Sequence, residues 1–131
     1  MYKVLAIIQA RMGSSRVPGK SLRKICGLPV IHHIFNRVSA AKNVDKTILA
    51  TADTDADKPL IEYCLNNNIP VVAGSENDLA ERFNDVIKKY PAENIIRICG
   101  DQILHSSEII DLVVNEHLES NKDYTTTGYY E

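Results

Sequence analysis

Residues 11–20 read Arg-Met-Gly-Ser-Ser-Arg-Val-Pro-Gly-Lys, so ten consecutive positions hold three cations, two hydroxyls and two glycines. This is a set of groups suited to a polyanion. Glycines such as Gly13 and Gly19 let backbone N–H groups approach phosphate oxygens, the hydroxyls of Ser14 and Ser15 add donors, and Arg11, Arg16 and Lys20 neutralise charge. A triphosphate needs all three kinds of contact. The second group with chemistry in reach is Asp101, which follows Ile98-Cys99-Gly100. An acid at the carboxyl end of a strand is placed to hold Mg²⁺ against phosphate oxygens, although Asp after Gly also serves as a turn cap. Two other readings of the loop stand beside the phosphate grip. In a Walker A loop four residues separate the glycines, whereas five separate Gly13 from Gly19, and Pro18 would sit inside the cradle. A solvated loop that carries its cations for solubility is the plainer alternative.

These groups need elements to carry them. The apolar run over 3–9 predicts a buried strand, and further strands are predicted over 46–51, 70–73 and 94–99, with a fifth beginning over 124–127. Pro29 opens a first helix whose face is Val30, Ile31, Ile34, Phe35 and Val38. Pro59 opens a second, with Leu60, Ile61, Cys64 and Leu65 inward, and residues 66–68 end it. Ser75 and Asp78 resemble a capping box for a third helix with Leu79, Phe83, Val86, Ile87 and Tyr90 on its stripe. Ser106 or Ser107 caps a fourth, with Ile109, Ile110, Val113, Val114 and His117 inward. Strand and helix alternate throughout, which predicts a Rossmann-like α/β fold, a mostly parallel sheet in a three-layer sandwich. A strand order of 3-2-1-4 would set the first and fourth strands side by side and bring Asp101 next to the loop.

A length of 131 residues predicts a single domain, 1–131, and the apolar fraction of 44% is ordinary for a globular chain. The net charge of −2 argues against a general nucleic-acid binder. No run approaches a membrane span, and no secretory leader is evident, which makes the cytoplasm the expected location. Cys26, Cys64 and Cys99 are widely spaced, an odd set that fits buried thiols in a reducing compartment better than a disulfide or metal cluster.

The stretch over 9–20 resembles the signature loop of the cytidylyltransferases that make CMP-activated acidic sugars, the CMP-Kdo and CMP-acylneuraminate synthetases, and is most similar to the branch serving spore-coat polysaccharide biosynthesis. The similarity continues through Ala50-Thr51, through Gly74-Ser75-Glu76-Asn77-Asp78-Leu79 with Arg82, through Arg97-Ile98-Cys99-Gly100-Asp101, and to Asp123-Tyr124. It departs at Ile103, Ser106 and Cys99, where the family often has Pro, an acid and Thr. The resemblance implies a nucleotide-diphospho-sugar transferase-like fold, here truncated, because such enzymes continue into a part that carries a second metal-binding acid, much of the sugar pocket and the dimer contacts. It implies transfer of CMP from CTP to an acidic sugar with release of pyrophosphate. By resemblance Arg11, Arg16 and Lys20 act on the triphosphate, Ala10, Gly13, Ser14, Ser15, Thr51, Ser75 and Arg82 bind nucleotide, and Asp101 binds Mg²⁺. A nucleotide-binding module without turnover, or a subunit completed by a partner chain or a second copy, are the alternatives.

Other polar residues read as structural. His32 and His33 are adjacent on a helix and point apart; His105 reads as a loop residue near Asp101. Asp53, Asp55 and Asp57 alternate, but without the Gly and terminal Glu of a Ca²⁺ loop they read as a solvated turn ending in a helix cap. Tyr129 and Tyr130 are expected in a core or interface.

Overall fold

The apolar run that opens the chain forms β1 (Tyr2–Gln9), in which every residue from Val4 to Ile8 is buried. A strand apolar on both faces must be covered on both faces and flanked on both sides. In the computed structural model, which describes residues 1–128, β1 is held in this way. It runs parallel to β4 (Lys46–Ala52) on one side and to β6 (Ala92–Cys99) on the other, and β5 (Val71–Gly74) lies parallel beyond β4. The order β5-β4-β1-β6 is the expected 3-2-1-4. Among the described residues, β6 has β1 as its sole strand neighbour.

The period of two sorts the side chains of β1 into two layers. Val4, Ala6 and Ile8 pack with Ile31, Ile34 and Val38 of α1 (Val30–Ser39), Leu60 and Cys64 of α2 (Lys58–Asn66), and Ile110 and Val114 of α4 (Ser107–Ser120). Leu5 and Ile7 pack with Val86 of α3 (Leu79–Lys89) on the opposite face. Helices therefore cover both faces of one parallel sheet. Among the described residues no helix is long and apolar enough to cross a membrane.

Several expectations are corrected. Leu65 and Ile109 do not face the core; they are 66% and 52% exposed. Each adjoins a buried position, but a helix of this kind buries a narrow stripe, and residues about 100° round from it meet solvent. Asp78, not Ser75, caps α3: its Oδ1 accepts from Glu81 N at 2.9 Å, while Ser75 Oγ accepts from Asp78 N at 3.1 Å. Ahead of α1 lies a short hairpin, β2 (Lys24–Ile25) and β3 (Leu28–Pro29), so Pro29 ends a strand and stands at the helix N-cap. Cys26 (φ 51°) and Gly27 (φ 83°) form its turn, the two left-handed residues that a tight hairpin asks for. This leaves Cys26 exposed, whereas Cys64 is buried and its thiol is pushed up to about 12 by burial. No strand forms within 124–127; Thr125 Oγ1 meets His117 Nδ1 at 2.9 Å. Local β-propensity is readily overridden by tertiary context. Tyr129 and Tyr130 lie outside the described residues.

The two leucines of α2 offer a direct check on the layer assignment. Leu60→Ala is expected to cost about 2–5 kcal/mol of stability, and Leu65→Ala to stay within about 0.5 kcal/mol of the parent. Urea unfolding of both variants measures this, and equal losses would contradict the assignment.

Candidate functional site

The loop after β1 is tied at its base by one residue, Met12. Its N–H donates to Asp57 Oδ1 at 2.7 Å, and its carbonyl accepts from both Ser14 N and Gly19 N at 3.0 Å. Residues 13–18 are thus a closed excursion that leaves Met12 and returns to it. Gly19 makes the return in the left-handed region, at φ 70°, where a side chain would be strained. A single 3₁₀ turn, Lys20–Leu22, follows and buries Ser21. The outgoing strand is fixed as well, because Ala10 N donates to Ala50 O at 3.1 Å.

The facing wall is the end of β6. Gly100 N donates to Gln9 O at 2.9 Å, and the two backbones are so close that a Cβ on Gly100 would collide with that carbonyl and come within 2.7 Å of Ala10 Cβ. A glycine is required here because the strands touch, not because of its torsion angles. The close approach delivers Asp101 to the loop, where its Oδ2 lies 3.5 Å from Lys20 Nζ. Asp101 is half-exposed, so the ion pair is screened and contributes little to stability. Alongside, Arg97 Nε donates to Gln9 Oε1 at 2.8 Å.

A fourth cation comes from α3. Arg82 is 5% exposed, and its Nε and Nη2 donate to the carbonyls of Ser75 and Glu76 at 2.8 and 2.9 Å. Burial pushes its pKa down, and the neighbouring Arg11 adds to that, while Asp57 and Glu76 oppose it. A guanidinium remains charged under such pressure. Two adjacent arginines, one of them buried, form a place where an anion is stabilised.

These pieces enclose a cleft of about 290 Å³ at the carboxyl ends of β1 and β6, where the strand order reverses. It is lined by Ala10, Arg11, Ser14, Ser15, Arg16, Lys20, Arg82 and Asp101 of the residues singled out from sequence, together with Gln9, Ser21, Cys99 and Gly100. Three others stand elsewhere. Gly13 belongs to the loop without lining the cleft. Thr51 is buried at the end of β4 with its Oγ1 3.5 Å from Asp57 Oδ1. Ser75 is engaged by Asp78 and Arg82. His105 bonds to the backbone, its Nε2 lying 3.3 Å from Cys99 O. His32 meets the Tyr63 hydroxyl and His33 the Ile25 carbonyl, each at 2.6 Å.

Asp57 is the buried residue at the base of the site that sequence reasoning missed. It is not solvated but 2% exposed, and although it stands at the N-cap of α2 its carboxylate makes no cap bond. It reaches Met12 N and Thr54 Oγ1 instead, the latter at 2.5 Å. Alternation of three acids gave no signal to separate it from Asp53 and Asp55, which are exposed.

Comparisons with known proteins agree with this geometry. A family model described as Cytidylyltransferase matches residues 5–130. The chain is 35% identical over 129 residues to the spore coat polysaccharide biosynthesis protein SpsF of Bacillus subtilis, covering 95% of this chain and 54% of that one. It is 34% identical over 114 residues to 3-deoxy-manno-octulosonate cytidylyltransferase 2 of Hydrogenovibrio crunogenus, covering 86% and 46%. A solved cytidylyltransferase structure from Leptospira borgpetersenii superposes with a TM-score of 0.84 at 34% identity, covering 91% of this chain and 50% of that one. The chain spans about half the length of the relatives it matches.

The contact at Gly100 generates a test. Gly100→Ala must push β6 away from β1, because the obstructing atoms are backbone and Cβ of Gln9 and Ala10. The expected cost is about 1–3 kcal/mol, measured by urea unfolding; an unaltered midpoint would show that the strands are not in contact at this level.

Proposed function

The chain belongs to the cytidylyltransferase family, and we propose that it takes part in transferring CMP from CTP to an acidic sugar for surface polysaccharide synthesis, with release of pyrophosphate. One observation carries this reading: Arg11, Arg16, Lys20 and Arg82 converge on a single cleft that also presents the carboxylate of Asp101. Four cations exceed what one carboxylate can balance, and a triphosphate supplies the missing negative charge.

In this reading an oxygen of the sugar attacks the α-phosphorus of CTP. The new O–P bond forms, the bond from the α-phosphorus to the bridging oxygen breaks, pyrophosphate leaves with that electron pair, and the hydroxyl proton passes to solvent. The protein's part is positioning and charge neutralisation. Arg11, Arg16 and Arg82 fix the phosphates through charge-assisted hydrogen bonds, and the hydroxyls of Ser14 and Ser15 add neutral ones. Lys20 exchanges Asp101 for a phosphate oxygen.

The donors present fit Mg²⁺. Among the described residues no three His, Cys, Asp or Glu side chains gather, but Mg²⁺ is commonly held by one or two carboxylates together with substrate phosphates. Asp101 is the carboxylate in place to do this. Bound there, Mg²⁺ would neutralise charge on the phosphate oxygens.

The acidic sugar is supported by the 3-deoxy-manno-octulosonate relative, and the polysaccharide role by the spore-coat relative. A cytoplasmic setting is in keeping with three free cysteines. Because the chain spans about half the length of these relatives, nucleotide binding without turnover is the second reading, with the acceptor contacts supplied by further chain.

Calorimetry with CTP and Mg²⁺, and a pyrophosphate-release assay with a panel of acidic sugars, separate the two. Release supports transfer; CTP binding without release supports the second reading. Arg16→Ala and Lys20→Ala are each expected to weaken CTP binding about tenfold or more, a change of about 1.4 kcal/mol. Unchanged affinity in both would refute the loop's role.

A further inference from the structure

A buried carboxylate is costly unless its oxygens are bonded and its charge is balanced. Asp57, 2% exposed, has its oxygens bonded by reaching away from its own helix. Its Oδ1 accepts from Met12 N at 2.7 Å and lies 3.5 Å from Thr51 Oγ1; its Oδ2 accepts from Thr54 Oγ1 at 2.5 Å. Its charge acts on Arg82, opposite in sign to the push from Arg11.

The place where Asp57 grips is the one residue on which the loop is closed. The carbonyl of Met12 accepts from Ser14 N and Gly19 N, so the loop is cinched on one side of Met12 and Asp57 fixes the other. Both peptide planes flanking Met12 are thereby held. Arg11 precedes that point and residues 13–18 hang from it. A role confined to capping α2 is at odds with the contacts, since the carboxylate makes no bond to the first turn of that helix.

We propose that Asp57 is the positioning residue of the anion loop: its buried carboxylate fixes Met12, and through Met12 sets Arg11 and residues 13–19 in the geometry that receives the phosphates. Asp57 does not line the cleft and acts through the loop. Its effect on affinity rests on the nucleotide reading above; its effect on loop order does not. The expected contribution is the preorganisation that a binding site gains when its donors are fixed before the ligand arrives.

Two variants separate hydrogen bonding from charge. Asp57→Asn keeps an acceptor for Met12 N–H and can turn its amide toward Thr54 Oγ1; Asp57→Ala removes both contacts. Nitrogen-15 relaxation of the ligand-free protein is expected to show fast motion appearing over residues 13–19 in Asp57→Ala, with the helices unchanged and Asp57→Asn resembling the parent. Calorimetry with CTP and Mg²⁺ is expected to show affinity reduced about tenfold or more in Asp57→Ala and about threefold or less in Asp57→Asn. Parental loop order in Asp57→Ala overturns the proposal, and so does a disordered loop that binds CTP with parental affinity. Should Asp57→Ala not fold, hydrogen exchange of the parent decides: the Met12 amide is expected to be protected, and exchange at the rate of a free loop amide overturns the assignment. A parent that binds no CTP defeats the nucleotide reading, and loop order alone then decides the role of Asp57.

Discussion

Two neighbouring parallel strands, β1 and β6, end at one level, and the site depends on that alignment. Gln9 pairs with Ala50 on one side and with Cys99 on the other, so the chain leaves β1 and β6 along a common line, while β4 runs two residues further to Ala52. The hydrogen bonds of Ala10 to Ala50 and of Gly100 to Gln9 carry the ladder one step past the strands. A slip of β6 by one residue would turn Ile98 out of the core and Asp101 away from Lys20 together. Core burial and site geometry are thus set by the same register, and the glycine at 100 is what allows the backbones to close on each other at the rim.

Charge in the molecule is distributed unevenly about that rim. The chain as a whole carries −2, yet the cleft gathers four cations against one lining acid. Arg82 is buried, which pushes its pKa down, and the neighbouring Arg11 adds to that push while Asp57 and Glu76 oppose it. Carbonyls at Ser75 and Glu76 hold Arg82 in place, but a carbonyl is a dipole and cannot cancel a full charge.

Much of this was legible in the sequence. Alternating strands and helices made a mostly parallel sheet covered on both faces legible, with 3-2-1-4 as an order to be tested, and the loop announced itself through residue types alone. What could not be read depended on contacts distant in sequence. Asp57 lies 45 residues from its partner Met12 and looks like its neighbours Asp53 and Asp55. Arg82 sits one turn into an amphipathic helix where polarity predicts exposure, and only its resemblance to a family motif drew notice to it. The run over 124–127 shows the reverse: strong local preference forms no strand, and Thr125 meets His117 of α4 instead. The hairpin before α1 turned on Cys26 adopting a left-handed conformation that its residue type does not favour.

Among the described residues the sheet has β6 at its edge, and that carries a consequence for the molecule in crowded solution. An eight-residue strand with one side unpaired among the described residues is a template on which further polypeptide can continue the ladder. Ile95, 37% exposed, would favour such growth. Its neighbours two residues away on either side, Glu93 and Arg97, are exposed and charged. Addition of an identical parallel strand in register would stack each of these against its own kind, whereas an antiparallel strand centred on Ile95 would set Glu93 against Arg97, so the two charges discriminate between orientations of an added strand.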